Sequence, residues 1–452
     1  MEFGEKVNYW KELMLNDRQK AKSFYYDSLF PEIIDRFLQK SQSLSRYHFL
    51  ISLLGFSPEP IILFLRAIRP QKVLFIHSEE TEEYLDAIQK WTGLSLTQVI
   101  RETVNSSDPT GVYKSIKEFA SGKDPKEILI DITGGKKSMV GGAAIAGNLL
   151  GIDTGYVDYS EYLSDLKQPR PGTEFPNILR NPFYVFGDID LDKAREAFNH
   201  YDFERCLEIL AELDQRIEDI WGIRKLKALA EIYKAMDVFN FLEANTLILK
   251  FLEKYERDKK FISADQIKKT ADILMILNDQ HHPEFHTYMC LNYYFAGERM
   301  AERARFDIGV FLMYRTIEMI LSTGLVDLGI DPSNPNYPEW ITVGRYNKKL
   351  KEVYEKEYYE KSLPLKIGLM DSAIILSLYG NPLLKEFNLK ELKGVVELRN
   401  KSHFTHGDKV LNEEDFRRIR RLSRKLLEQY LHLKEKSPVI EFEKLFKFPK
   451  IE

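Results

Sequence analysis

Between residues 47 and 160 the apolar positions come in short unbroken runs, separated by longer stretches in which they recur every three or four residues. "HFLISLLGF", "KVLFIHS", "EILIDI" and "DTGYVDY" are runs of the first kind and read as strands. "EPIILFLRAI", "TEEYLDAIQKWTG", "GVYKSIKEFA" and the segment from Lys137 are of the second kind and read as helices. Strand and helix in alternation predict an α/β domain around a parallel, doubly wound sheet. Upstream, residues 5–42 read as two helices, with Pro31 at a helix start. From about residue 190 the strand-like runs stop and the spacing is helical throughout. There "LDKAREAFNHYDFERCLEILAEL" reads as a single helical-hairpin repeat, with no second copy at a fixed period. "DPSNPNYPEW" is a loop inside the last helical region, and "KSPVIEFEKLFKFPKIE" has too little context to place.

A chain of 452 residues suits two or three domains. With 44% hydrophobic and 30% charged residues, the composition is that of a soluble globular protein. No stretch offers ~20 uninterrupted apolar residues; the longest candidate, Met139 to Ile152, is short and contains Asn148. The N-terminus is charged from its second residue and lacks a secretory pattern, so a cytoplasmic location is expected. Cys206 and Cys290 have no metal-type spacing and read as buried thiols. A net charge of −4 and pI near 6.2 confine any nucleic-acid contact to a local patch, with no stable DNA binding expected.

In open α/β sheets ligands sit beyond the carboxyl ends of the strands. Gly55-Phe56-Ser57, His77-Ser78-Glu79 and Thr133-Gly134-Gly135 all fall there. "ITGGKKSM" is not a nucleotide-hydrolysing P-loop, because Lys137 stands where Ser or Thr is required and Ile130 where the first glycine is. Nor does it fit the dinucleotide fingerprint, since its glycines are adjacent. Two glycines that let the backbone approach a ligand, hydroxyls at Thr133 and Ser138, and the N–H groups opening a helix favour an anion. Lys136 or Lys137 would add a charge. A strand-to-helix turn with solvated lysines fits the same residues equally well.

The run Asp131, Thr133, Gly134, Gly135, Lys136, Lys137, Met139, preceded by Gly55, Ser57, Pro58, Glu59 and Pro60, resembles the CRISPR-associated Rossmann fold (CARF) sensor domain over roughly residues 46–185. That family binds cyclic oligoadenylates across a dimer interface. The resemblance implies that Thr133, Gly134, Gly135 and Lys136 hold phosphate and ribose, while Ser57, His77, Ser78 and Asn105 line the crevice. His77 also fits a strand-end histidine satisfied by backbone.

A second stretch, "VVELRNKSHFTHGDKVLNEEDF", carries candidate chemistry. On a continuous helix the seven-residue offset from Arg399 to His406 is close to two turns, so Arg399, Asn400 and His406 are expected on one face. An imidazole that exchanges a proton near neutral pH, beside a guanidinium that stabilises developing charge, suits a phosphodiester. With RNA the 2′-hydroxyl can be the nucleophile, so no metal is required. Without a family, the same residues fit Arg399 paired with Glu397 or Glu318 and His406 capping a helix before Gly407.

"LRNKSHFTHG" resembles the R-x4-6-H motif of the HEPN (higher eukaryotes and prokaryotes nucleotide-binding) ribonucleases. "AERARFDIGVFLMYRTIEMI" is similar to their first helix, with Tyr314, Arg315 and Glu318 as its aromatic-Arg-x-x-Glu pattern. This resemblance covers roughly residues 296–435. His403 is the second-rank histidine.

Together the two resemblances imply a CARF–HEPN ancillary ribonuclease of type III CRISPR systems. The expected fold class is α/β plus all-α. Its parts are an N-terminal helical extension (1–45), a Rossmann-like parallel-sheet CARF sensor (46–185), a helical linker (186–295), an all-helical HEPN domain (296–435) and a C-terminal tail (436–452). The implied protein is a homodimeric, metal-independent endoribonuclease without a catalytic cofactor. It would be activated by cyclic oligoadenylate, tetra- or hexa-adenylate being the expected ring. It would cut single-stranded RNA to a 2′,3′-cyclic phosphate and a 5′-hydroxyl, and have no membrane partner. Two other readings stay open: a nucleotide-sensing regulator whose helical half only binds, and a constitutively active nuclease.

Two further signals are weaker. "HHPEFH" places His282 and His286 four apart, but Pro283 intervenes and no ligand set is completed. "RRIRRLSRK" is either a solvated basic face or a contact for an RNA backbone.

Overall fold

The computed structural model describes all residues except 216, 218–220, 256–261, 357–359, 386, 404–406 and 452. Its contacts divide into two compact units, Met1–Asp188 and a second one running from Ile189 through the described C-terminal residues.

In the first unit, helices α1 (Phe3–Asn16), α2 (Arg18–Phe24) and α3 (Phe30–Gln39) precede the sheet, with a π-helical turn at Tyr25–Leu29. The strands are β1 (Phe49–Leu53), β2 (Lys72–His77), β3 (Val99–Thr103), β4 (Ile128–Asp131), β5 (Asp153–Tyr159), the short β6 (Tyr162–Leu163) and β7 (Gln168–Pro169), and β8 (Glu174–Leu179). Helices α4 (Glu59–Ile68), α5 (Tyr84–Thr92), α6 (Pro109–Ala120) and α7 (Lys137–Leu150) connect the parallel strands, and α8 (Pro182–Phe186) follows β8. The main sheet runs β3-β2-β1-β4-β5-β8, parallel except for the β5–β8 pair.

The four apolar runs are β1, β2, β4 and β5. The first three are buried on both faces, which is why they read as continuous hydrophobic stretches. Two strands of the main sheet were not expected. β3, "VIRET", is a mostly exposed edge strand whose charges hide its period. β8 is antiparallel and carries Pro176, so the sheet is mixed rather than purely parallel. Residues 1–45 are integral to this unit: Trp10, Phe30, Ile33 and Phe37 share a core with Ile61, Phe64 and Leu65 of α4.

The second unit is helical: α9 (Asp188–Asn199), α10 (Phe203–Asp214), α11 (Trp221–Asp237), α12 (Phe241–Tyr255), α13 (Ala264–Asn278), α14 (Phe285–Glu302), α15 (Phe306–Val326), α16 (Val343–Tyr354), α17 (Leu369–Leu378), α18 (Leu389–Lys401), α19 (Glu413–Leu433) and α20 (Val439–Phe446). α15 is long and apolar enough to cross a membrane by length and composition, yet two thirds of that stretch is buried among α14, α17, α18 and α19.

Beyond the α9–α10 hairpin, two more interhelical turns share its construction without a fixed period. The α9–α10, α11–α12 and α14–α15 turns are built alike. Each places a residue in the left-handed region: Tyr201 (φ 60°), Phe239 (φ 63°) and Ala304 (φ 55°). In each, that residue's N–H bonds the carbonyl three back and the next N–H the carbonyl five back, as in Tyr201 to Phe198 and Asp202 to Ala197. A phenylalanine opens the next helix (Phe203, Phe241, Phe306), and a small residue follows it (Cys206, Ala244, Gly309). The copies are unevenly spaced because α13 intervenes before the third, so no fixed period exists to detect.

The same position of each copy also holds the tail. Asn199 exchanges two hydrogen bonds with the Ile451 backbone, at 2.9 and 2.7 Å. Asp237 accepts from the fully buried Arg299 at 3.0 Å, and Arg299 donates to the Phe446 carbonyl and lies 3.7 Å over the Phe448 ring. Glu302 pairs with Lys447 and Lys450.

Candidate functional site

The strand order reverses between β1 and β4, which is where open α/β sheets leave a crevice. The two turns meet there. A side chain at Gly134 would lie 2.2 Å from the Leu53 carbonyl, and one at Gly55 2.9 Å from the Gly135 nitrogen, so only glycine lets these backbones pass. Gly135 itself is left-handed (φ 81°).

Beneath the turn, buried Asp131 collects three donors. Ser52 donates to it at 2.7 Å, and Thr133 donates through its N–H at 2.9 Å and its hydroxyl at 2.6 Å. Burial raises the Asp131 pKa, and the hydrogen bonds from Thr133 and Ser52 pull against that rise. The Thr133 hydroxyl also accepts the Val157 N–H at 2.9 Å, tying the turn to β5. Thr133 is therefore a fastener of the turn. Ser138 is likewise engaged, donating to the Ser106 carbonyl at 2.5 Å. Lys136 and Lys137 are exposed where α7 begins, and no side chain caps that helix.

Of the remaining sensor candidates, Ser57 is exposed and shares a cavity with Thr133. His77 is 1% exposed with Nδ1 3.1 Å from the Ser78 carbonyl, the backbone-satisfied arrangement. Ser78 opens a short 3-10 turn against Thr81. Asn105 is exposed beyond β3 and accepts the Ser107 N–H at 3.0 Å. The structure thus gathers Ser57, Thr133, Gly134, Gly135 and Lys136 around the β1–β4 reversal, and sets Ser78 and Asn105 beyond the neighbouring strands.

The cavity, about 530 Å³, was not expected. The N-terminal helices and β5 supply aromatic walls: Trp10, Tyr25, Tyr26, Tyr156 and Tyr159. The signal was present in "SFYYDSLF", but what those rings face is a long-range contact that periodicity does not reveal.

In the helical unit, Arg399 and Asn400 lie in the last turn of α18. Arg399 donates to the Asn400 side-chain oxygen at 3.0 Å, and its guanidinium stands 5.1 Å from the centre of the Tyr314 ring on α15. Tyr314 has a raised pKa, first through burial and then through the charge of Glu318, with Arg399 opposing. Glu318 is ion-paired with Arg315, while Glu397 faces Lys393 at 3.7 Å.

The helical-face argument for the histidines is corrected. α18 ends at Lys401 and Ser402 is extended (φ −71°, ψ 146°), so His403 does not continue that helix. A loop takes over, closed at its base by the Lys409 N–H to the Lys401 carbonyl (2.9 Å) and the Gly407 N–H to the Ser402 carbonyl (3.2 Å). A side chain at Gly407 would lie 2.1 Å from the Lys401 carbonyl, which accounts for glycine after His406. The base is anchored on both flanks: the Leu411 N–H donates to Asp307 of α15 at 3.0 Å, and Lys409 reaches Asp415 of α19 at 2.8 Å. His406 itself lies outside the described residues.

On α19, Arg417, Arg418, Arg421 and Lys425 form an exposed basic face, and Arg420 is bound to Glu298. Among the described residues no group of three or more His, Cys, Asp or Glu side chains could hold a metal ion. His282 accepts the Glu284 N–H at 3.1 Å at the start of α14.

The family model described as the Csm6 HEPN domain matches residues 278–430. These residues include Tyr314, Arg399 and the loop after α18. That match and the relative below support a likeness to the CRISPR-associated CARF–HEPN ribonucleases. The chain is 24% identical to the CRISPR system endoribonuclease Csm6 of Thermus thermophilus over 430 residues, covering 90% of this chain and 91% of that protein. Among solved structures, Enterococcus italicus Csm6 bound to cyclic hexa-2′-fluoro-hexa-dAMP aligns over 88% of this chain and 97% of its own, at 13% identity and TM-score 0.49. Can2 from Sulfobacillus thermosulfidooxidans in complex with cyclic tetra-adenylate aligns over 60% and 70%, at 13% identity and TM-score 0.24. Arg399 falls within the residues that match the Csm6 HEPN model, and the crevice at Gly134 lies outside them.

Proposed function

We propose that this chain is a cyclic-oligoadenylate-activated, metal-independent endoribonuclease that cuts single-stranded RNA. The observation that carries the reading is the Arg399–Asn400 couple, held over Tyr314 at the end of α18 and followed at once by the loop that bears His403 and His406. Arg399 stabilises the charge that develops on the phosphorane oxygens, and Asn400 orients Arg399. His406 exchanges the proton between the 2′-hydroxyl nucleophile and the 5′-oxygen leaving group, and His403 is its second-rank substitute. A phosphodiester displaced by its own 2′-hydroxyl ends as a 2′,3′-cyclic phosphate and a 5′-hydroxyl.

The sensor half takes the ring at the β1–β4 reversal. Gly134 and Gly135 bring backbone close to a phosphate, the start of α7 and Lys136 favour its charge, and Ser57 and Thr133 border the cavity beside it. The protein works as a homodimer. Ile145 and Leu149 of α7, with Phe183, Tyr184 and Phe186 of α8, leave an exposed apolar face for a second copy to cover. Activation requires the ring to bind more tightly to the dimer state whose HEPN site is competent.

An RNA carrying one 2′-deoxyribose at its cleavage position tests the chemistry. The expected result is loss of cutting at that position alone, in EDTA, with 2′,3′-cyclic ends at the remaining sites. Continued cutting there, or a requirement for divalent metal, would overturn the mechanism.

A further inference from the structure

A groove of about 630 Å³ is lined in part by Arg315 of α15, the residue after Tyr314, and nothing in the proposed chemistry uses it. Its walls come from the α11–α12 turn (Phe239, Phe241), from α14 (Tyr293) and from α15 (Phe311, Arg315), with Leu242 at the mouth. Phe311 and Leu242 are 39% and 72% exposed. We infer that this groove receives an unpaired nucleobase of the RNA substrate, next to the scissile nucleotide, by stacking.

The first ground is continuity with the Arg399 site. Phe311 and Arg315 are four apart on α15 and share a face, while Tyr314 and Glu318 occupy the adjoining one. Arg399 stands over Tyr314, Glu318 joins Tyr314 electrostatically and Arg315 by an ion pair, and Arg315 lies 5.7 Å from the centre of the Tyr293 ring. Arg399, Tyr314, Glu318, Arg315 and Tyr293 are thus neighbours in turn from the proposed catalytic arginine to the wall of the groove.

The second ground is chemical. Phe239 and Tyr293 lie with ring centres 5.4 Å apart and 35° between planes, and Phe241 follows at 5.9 Å from Phe239. Aromatic surface with a guanidinium at one end suits a base and its phosphate, and stacking is tolerant of base identity. The repeat supplies a comparison. Tyr201, the counterpart of Phe239 in the first hairpin, packs on tail residue Phe448, whereas Phe239 borders open groove.

The inference rests on the ribonuclease reading, and two assays separate their failures. Affinity for a fully 2′-O-methylated 12-nucleotide RNA, which cannot be cut, is measured for wild type, Phe311→Ala and Phe311→Trp. Ring-activated cleavage of a quenched unmodified RNA is followed in parallel, with the oligomeric state checked by light scattering. Phe311→Ala is expected to weaken RNA binding and raise KM roughly tenfold, the scale of one lost stacking contact. Its kcat should stay within about twofold, since stacking away from the reacting atoms is uniform binding, and Phe311→Trp should restore KM. Equal affinity of wild type and Phe311→Ala overturns the groove even if cleavage proceeds. Dissociation of a dimer by Phe311→Ala overturns it as well, assigning the face to a second copy. Failure of wild type to cleave overturns the ribonuclease reading alone if the affinity difference persists.

Discussion

The sensor crevice and the HEPN site are built on opposite plans. At the crevice every element of the turn is fastened within the chain: glycine against glycine, Asp131 gathering Ser52 and Thr133, Thr133 reaching on to β5. At the HEPN site the described residues form a frame around the end of α18. The base of the loop after Lys401 is anchored to α15 and α19, and Arg399 stands over Tyr314 at the rim. A ligand that must be recognised by shape is served by a preorganised turn, because ordering it on binding would cost affinity.

The contrast can be broken at several points. The largest effect is expected from His406→Ala or Arg399→Ala, which should lower the RNA cleavage rate by roughly 10²–10⁴-fold while ring affinity, read by calorimetry, stays at the wild-type value. Next is Phe448→Ala. Emptying a site buried beneath Arg299 should cost about 3–5 kcal/mol in denaturant unfolding of the helical unit and leave ring binding intact.

Gly134→Ala strikes the other half. Its methyl group meets the Leu53 carbonyl, so the sensor should lose about 1–3 kcal/mol of stability together with its ring binding. The smallest effect concerns pH. The folded Asp131 has a pKa above its unfolded value, so the native state holds the proton more tightly and sensor stability should fall as pH rises through that raised pKa. Asp131→Asn keeps an acceptor for Thr133 and should remove that slope, as measured by urea midpoints from pH 4 upward.

What could be read beforehand follows the same division. β1, β2 and β4 announce themselves because both their faces are buried, whereas β3 hides behind Arg101 and Glu102 and β8 behind Pro176. The Thr133-Gly134-Gly135 turn was legible because close backbone approach demands glycine at those positions. The Asp131 hub and the aromatic wall from Trp10 to Tyr26 were not, since each depends on which distant residues meet. The Arg399–Asn400 pair was legible as a motif, but the end of α18 at Lys401 was not: no proline or glycine marks it, and it is the extended Ser402 and the backbone pairing with Lys409 that stop the helix. The repeated hairpin turns escaped notice because α13 breaks their spacing.

We propose that a ring bound at the Gly134 turn governs chemistry at Arg399. The most direct test follows one quenched RNA in EDTA as cyclic tri-, tetra-, penta- and hexa-adenylate are added in turn to wild type and to His406→Ala. One ring is expected to switch on cleavage by wild type, while His406→Ala binds the same ring equally well yet stays silent. A ring that binds without raising cleavage, or cleavage that survives the substitution, would contradict the proposal.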